Sequence, residues 1–231
     1  MNLRRVSYTG VLYLCSTALL ILCGVPLLWM LFTSLKAPAD LFAYPPRIFG
    51  PYTLANFHRL LTETDFAVYL KNSIVVAGVT VIVDILVATF GAYSLTRYRY
   101  PGKETLANIT LFTYMFAPIM IIIPVYVLLQ ELGLTNSHLG IILAYTSISL
   151  PFTLWLLRAF FLSIPIELEQ AAFVDGANRF QSLAHVVMPQ ALPGVIATSV
   201  FAFVVVWSDY LFARVLLNDR MLLTMPVGLQ D

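Results

Sequence analysis

The residues best placed to do work lie in one short polar stretch. Between Pro165 and Pro189 the chain carries Glu167, Leu168, Glu169, Gln170, Ala171, Ala172, Phe173, Val174, Asp175, Gly176 and Ala177, and it closes on Val186-Val187-Met188-Pro189. Glu167 and Glu169 fall where the first turn of a helix would favour carboxylates. Ser163 is placed to cap that helix, Pro165 suits its early positions, and Gly176 can supply the left-handed turn that ends it. A second short helix is predicted from about Asn178 to Val187, stopped by Pro189. Ala171 and Ala172 leave a helix face with almost no side chain, which lets another backbone approach closely. That is chemistry of recognition. Either a soluble partner docks on the stretch, or it is an ordinary amphipathic connector.

Other chemistry is harder to assemble. His58, His138 and His185 are scattered over separate segments, so no metal cluster has sensible spacing. No Ser-His-Asp arrangement or pair of working carboxylates can be argued. The one Gly-Lys pair, Gly102-Lys103, is followed by Glu104 and has Arg97 where a phosphate-binding loop needs its first glycine. The sequence therefore predicts a protein without metal or cofactor that hydrolyses no nucleotide itself.

The elements that must position the polar stretch are apolar. With 60% hydrophobic and 11% charged residues and a mean hydropathy of +0.86, the 231-residue chain is too oily for a soluble domain. The net charge of +1, with no basic stripe, gives no case for nucleic acid. Five stretches approach the roughly 20 residues that a helix needs to cross a bilayer: Val11–Phe32, Ser73–Tyr93, Ile109–Leu129, Leu139–Leu157 and Pro193–Leu216. The first follows Arg4 and Arg5 and precedes Ala37-Pro38-Ala39, but its apolar run is too long for a cleaved signal. Pro118 and Pro124 are expected to kink the third. Cys15 and Cys23, about 12 Å apart along one helix, cannot bridge each other.

Loop charge gives a weak orientation. Arg97, Arg99 and Lys103 crowd the short loop after the second span, whereas Glu131 to His138 holds no Lys or Arg. This favours a cytoplasmic N-terminus and places the polar stretch in the cytoplasm. Two acids remain within the spans. Asp84 stands near the middle of the second, where a carboxylate costs at least about 2.5–3.5 kcal/mol and should face protein or water. It is either a pathway residue or a polar contact joining helices. Asp209, in Trp207-Ser208-Asp209-Tyr210, fits either the wall of a pathway or an aromatic interfacial belt.

The polar stretch resembles the EAA loop of permease subunits of binding-protein-dependent ABC importers, where Glu-Ala-Ala is followed after three residues by Gly and later by Ile-x-Leu-Pro. Gln170, Ala171, Ala172, Gly176, Val186, Met188 and Pro189 occupy those positions without a gap. Other segments are similar to the maltose-type carbohydrate branch: Phe32-Thr33-Ser34-Leu35-Lys36, Asn72-Ser73, Ala92-Tyr93 through Arg97 to Pro101-Gly102-Lys103, Leu150-Pro151-Phe152, and Thr224-Met225-Pro226-Val227-Gly228-Leu229. Trp207 to Tyr210 resembles the branch's Trp-Asn-Asp/Glu run.

The resemblance implies an all-α, polytopic membrane protein with the transmembrane-domain fold of a type I ABC importer (MetI-like). It would be one permease domain over residues 1–231, with the loop at 158–192 docking an ATPase. The implied docking residues are Glu167, Glu169, Gln170, Ala171, Ala172, Asp175, Gly176, Ala177 and Pro189; Asp84, Trp207, Asp209 and Tyr210 are candidate pathway residues. The implied partners are a second homologous permease, two ATP-binding cassette subunits and an extracytoplasmic solute-binding protein, in the lipid of a bacterial inner membrane. The solute would be a sugar or related polar molecule. Two departures stand out: Gln170 replaces the leading acid while Glu169 sits one place earlier, and the family's usual sixth span is not visible before Asp231. The family is also usually apolar at the position of Asp84. An ion-coupled secondary transporter using Asp84 is the rival reading, and a membrane scaffold the third.

Overall fold

The computed structural model describes residues 3–37 and 52–230, with side chains from residue 12 onward. Arg47, Asp231, Pro38-Ala39 and the side chains of Arg4 and Arg5 lie outside the described residues. Among the described residues the architecture is helical, with one isolated β-bridge between Lys36 and Tyr52. The chain divides into Met1–Asp65 and Phe66–Asp231.

In the first unit, α1 spans Leu3–Ser34, and its stretch from Leu12 to Ser34 is long and apolar enough to cross a membrane. Asn56 then fastens a short helix, α2 (Ala55–Thr62), to the end of that span. Its Nδ2 donates to the carbonyls of Ser34 at 3.0 Å and Lys36 at 2.7 Å. Cys15 and Cys23 are both free thiols.

The second unit is built on α3 (Phe66–Arg97) and α6 (His138–Ser163). The buried residues of α3 recur every three or four positions through Ser73, Ala77, Thr80, Asp84, Ala88 and Ala92. Small side chains at that period make a seam along which a second helix can lie close. The facing seam of α6 carries Ala144, Ser149, Thr153 and Leu157. Apolar packing gathers at both ends: Tyr69, Val76, Ile141, Tyr145, Phe212 and Leu216 cluster at one, and Ala88, Ala92, Leu157, Phe161, Leu183 and Val187 at the other.

The third expected span is broken rather than kinked. α4 (Lys103–Tyr114) and α5 (Pro118–Glu131) meet at 99°. Ala117 is extended (φ −60°, ψ 132°) because the ring of Pro118 excludes the helical region for the residue before it. Pro118 then opens α5, where its missing N–H has no helical partner to lose; Pro124 is carried inside α5. The pair nonetheless connects opposite ends of the bundle. Glu104, at the start of α4, pairs with Arg158 at 2.6 Å near the end of α6. Asn136, just past α5, accepts through Oδ1 from the backbone N–H groups of Asn218 and Asp219 at 2.9 and 2.8 Å, close to where α6 begins. The broken pair therefore passes from one end of the bundle to the other.

The last span also differs from expectation. α7 covers Ile166–Val174, and α8 runs unbroken over Arg179–Trp207. Pro189 does not stop it. A π turn at Leu183–Val187 widens the helix immediately upstream, and the Met188 N–H reaches back to the Leu183 carbonyl. That wider turn makes room for the ring an α-helical ladder would reject. Nor does Ser163 cap α7. Ile164 is extended ahead of Pro165, Pro165 occupies the cap position, and the Ser163 hydroxyl donates back to the Phe160 carbonyl at 2.7 Å. Beyond Trp207 the apolar run to Leu216 breaks at Ser208-Asp209 and resumes as α9 (Leu211–Leu216). A 3-10 turn at Arg220–Leu222 and α10 (Met225–Gly228) follow.

Candidate functional site

The polar stretch folds as α7, a turn, and the first turns of α8. Gly176 has φ +90°, the left-handed conformation that glycine adopts without penalty. Around it the Gly176 N–H donates to the Phe173 carbonyl at 3.1 Å and the Ala177 N–H to that of Ala172 at 2.9 Å. Both close orphan carbonyls at the end of α7. α8 starts from a reciprocal cap. Asn178 Oδ1 accepts from the Gln181 N–H at 2.9 Å, and Gln181 Oε1 from the Asn178 N–H at 2.8 Å. The predicted turn is present, with its second helix properly begun.

Four of the nine expected docking residues line one hollow, and four of the others are exposed. Glu167, Gln170, Ala171, Asp175, Gly176 and Pro189 are exposed, while Ala172 and Ala177 are half-buried. Ala172, Asp175, Gly176 and Ala177 line a hollow of about 420 Å³ with Gln181, His185 and Val186. Val174 and Phe180, next in the chain to Asp175 and Gln181, are 88% and 66% exposed.

Glu169 is the exception. It is only 2% exposed and is paired with the Arg97 guanidinium at the end of α3. The Tyr93 hydroxyl donates to its other oxygen at 2.9 Å. The physical cause lies in helix geometry: about 100° per residue separates Glu169 from Gln170, so when Gln170 faces outward Glu169 meets α3. This partnership escaped sequence reasoning, although an arginine closing an apolar span was a signal that it needed a counter-charge.

The span acids are divided between the bundle interior and one end. Asp84 has no exposed surface. The Ser149 hydroxyl on α6 contacts its Oδ2 and also lies 2.7 Å from the Tyr145 carbonyl, so one proton faces two acceptors. This makes Asp84 a contact between α3 and α6. Asp209 is half-buried, and its Oδ2 accepts from the Tyr145 hydroxyl at 2.9 Å and from the first-turn N–H groups of Phe212 and Ala213 at 2.9 and 3.4 Å. It holds the start of α9 against α6. Trp207 stacks on Phe203 with 5.2 Å between centroids, and Tyr210 is 38% exposed. Asp84 and Asp209 thus both meet α6, Asp84 at Ser149 and Asp209 at Tyr145, whose carbonyl also faces the Ser149 hydroxyl.

Two features were missed. A cavity of about 520 Å³ opens at the break between α4 and α5, lined among others by Thr113, Tyr114, Pro118, Ser147, Ile148 and Val205. At the end of the bundle where α6 begins, the segment after α9 is strapped to α3: Asn72 Nδ2 donates to the Met221 and Leu223 carbonyls at 2.9 and 3.0 Å, and the Met225 N–H to Ser73 Oγ at 2.7 Å. Asn72-Ser73 and Thr224-Met225-Pro226 were both visible in the sequence, but nothing in it paired them.

Among the described residues no three His, Cys, Asp or Glu side chains gather to hold a metal ion. Among the described residues, helices long and apolar enough to cross a membrane carry this folded polar loop at one end. Residues 85–229 match the family described as "Binding-protein-dependent transport system inner membrane component", and the chain belongs to that family. It is 34% identical to the inner membrane ABC transporter permease protein YcjP of Escherichia coli K12, over 99% of this chain and 82% of that protein. It is 35% identical to the sulfoquinovosyl glycerol transport system permease protein SmoH of Agrobacterium fabrum C58, over 89% of this chain and 72% of that protein. Among solved structures, a bacterial ABC transporter involved in the import of the acidic polysaccharide alginate matches at a TM-score of 0.83 and 25% identity, covering 100% of this chain and 81% of that one.

The chain is accordingly a membrane-spanning permease subunit of an ABC importer that works with other components of the transporter. ATP hydrolysis belongs to separate subunits, and the ion-coupled reading of Asp84 is set aside.

Proposed function

We propose that this permease contributes half of the translocation pore of a carbohydrate importer in a bacterial inner membrane, beside a second homologous permease. Its N-terminus and the 158–192 loop face the cytoplasm. There the loop docks one of two ATP-binding cassette subunits through Glu167, Gln170, Ala171, Ala172, Asp175, Gly176, Ala177 and Pro189. An extracytoplasmic binding protein delivers the solute to the opposite end, where Trp207, Asp209 and Tyr210 stand.

One observation carries the reading. Val174, at the end of α7, and Phe180, in the first turn of α8, are exposed on the polar loop, next in the chain to Asp175 and Gln181 of the hollow. Exposed apolar side chains rimmed by polar groups mark a protein contact. A carbohydrate solute is supported by the sugar derivatives named for SmoH and for the alginate transporter. The experiment is uptake of a panel of radiolabelled oligosaccharides by proteoliposomes holding both permeases and the ATPase, with binding protein outside and ATP inside. Accumulation that needs ATP and survives collapse of ion gradients is expected; accumulation driven by an imposed ion gradient without ATP overturns the proposal.

A further inference from the structure

Within the docking loop, the carboxylate of Glu169 is turned away from the exposed surface and into the chain. Its two oxygens are taken by different groups of the same transmembrane helix: Arg97 Nε contacts Oε1, and the Tyr93 hydroxyl donates to Oε2 at 2.9 Å. A second arm of the same guanidinium, Arg97 Nη2, donates to the Ile164 carbonyl at 3.0 Å, in the extended hinge between α6 and α7. Tyr93 meets Tyr98 edge to face at 6.2 Å. Arg179, in the first turn of α8, lies over the Tyr98 ring at 4.9 Å and the Phe173 ring at 5.8 Å. The end of α3 is thus joined to α7, to the hinge before it and to the start of α8.

Burial makes this joint stiff. The Glu169 and Arg97 side chains are 2% and 7% exposed, so neither exchanges its partner for water easily. Removing one member strands a buried charge, whereas replacing both with apolar groups of similar volume is far milder. The docking surface itself has no comparable attachment, because Gln170, Ala171 and Asp175 are exposed.

We propose that Glu169 and Arg97 are positioning residues that convert movement of the docked loop into movement of α3. Glu169 acts through Arg97 and Tyr93 rather than by touching the ATPase. The proposal rests on the docking reading above. It assigns the two neighbouring positions different work: Gln170 stands on the partner's side of α7 and Glu169 on the permease's side.

The test uses the assembled transporter in nanodiscs, with purified binding protein added. It reads the factor by which binding protein stimulates ATP hydrolysis, a signal that must cross the membrane. In the double variant Arg97→Met/Glu169→Leu we expect normal co-purification with the ATPase and basal hydrolysis within about twofold of the unsubstituted complex, but at least a fivefold smaller stimulation factor. A role confined to holding the loop's shape would leave the factor unchanged in that variant, and this result overturns the proposal. Should the double variant fail to assemble, Arg97→Lys gives the same reading, because an ammonium keeps the charge but not the fork that spans Glu169 and the Ile164 carbonyl. A smaller factor at normal assembly supports the tie, and an unchanged factor removes it. A cysteine at Val174 in the otherwise unsubstituted chain separates the two claims. If it cross-links to the ATPase while the stimulation factor is indifferent to Arg97 and Glu169, only the tie fails; if it does not cross-link, the docking reading fails and the tie with it.

Discussion

The Tyr145 hydroxyl donates to Asp209 Oδ2 at 2.9 Å, joining the first half of α6 to the turn that follows α8. The same oxygen receives the N–H groups that begin α9, so one carboxylate both anchors a helix start and satisfies a buried phenol. Asp209→Ala removes the cap and leaves Tyr145 without its acceptor, at a cost of roughly 2–3 kcal/mol. Asp209→Asn keeps an acceptor oxygen and should cost less. Thermal unfolding of the purified variants in detergent checks the order. Equal destabilisation by both would show that the charge, not the cap, matters.

Asp84 is a contact between two helices, and its substitution should follow that chemistry. Asn retains a polar group facing Ser149, whereas Leu leaves the Ser149 hydroxyl with the Tyr145 carbonyl alone and wedges a branched chain into a seam of small residues. Asp84→Asn is therefore expected to insert and transport near normally, and Asp84→Leu to assemble poorly. Transport lost equally in both at normal assembly would instead demand a working carboxylate.

How far the sequence foretold these arrangements depends on how local their causes are. Gly176 was legible because a left-handed turn after a helix is a property of a few neighbouring residues. The membrane-length span within α3 announced itself by length and hydropathy. Pro189 misled, since a π turn two residues upstream, invisible as a composition signal, removes the clash that normally stops a helix. Ser163 misled for a related reason: Pro165 forced Ile164 to be extended and left the serine on the preceding helix. The role of Glu169 depended on Arg97, 72 positions earlier in the chain, and only packing brings them together.

Gly176→Leu should disturb the loop without crowding any neighbour, because nothing stands within 4 Å of where a Cβ would lie. The penalty is in the backbone, at φ +90°, and amounts to roughly 1–2 kcal/mol for a residue with a side chain. Membrane insertion is expected to persist while ATP-driven uptake falls severalfold. Unchanged uptake would remove the turn from the mechanism. Gln170→Glu, which stays on the exposed face, should be tolerated.

Gly194 answers to a different constraint. A Cβ there would lie 2.2 Å from the ring of Phe160, so α6 and α8 approach as closely as they do only because the side chain is absent. Gly194→Val is expected to lower the yield of folded protein sharply, and Gly194→Val with Phe160→Leu to recover part of it. No recovery would place the defect elsewhere than in this contact.

Contacts sort residues to opposite ends of the bundle, and the proposed orientation, which rests on loop charge, puts the end with Asn178 inside. Reporters fused near Asn178 should be active only in the cytoplasm, and those inserted between Glu131 and His138 only outside. Both on one side would mean that α4 and α5 do not cross the membrane between them.

The most direct measurement is site-specific photocross-linking in the assembled importer. With a photoreactive amino acid at Val174 or Phe180, the account predicts capture of the purified ATPase subunit. The same group at Tyr210, at the opposite end of the bundle, should capture none. Capture at Tyr210, or its absence at both Val174 and Phe180 in an active complex, would contradict the assignment of the loop as the ATPase-docking surface.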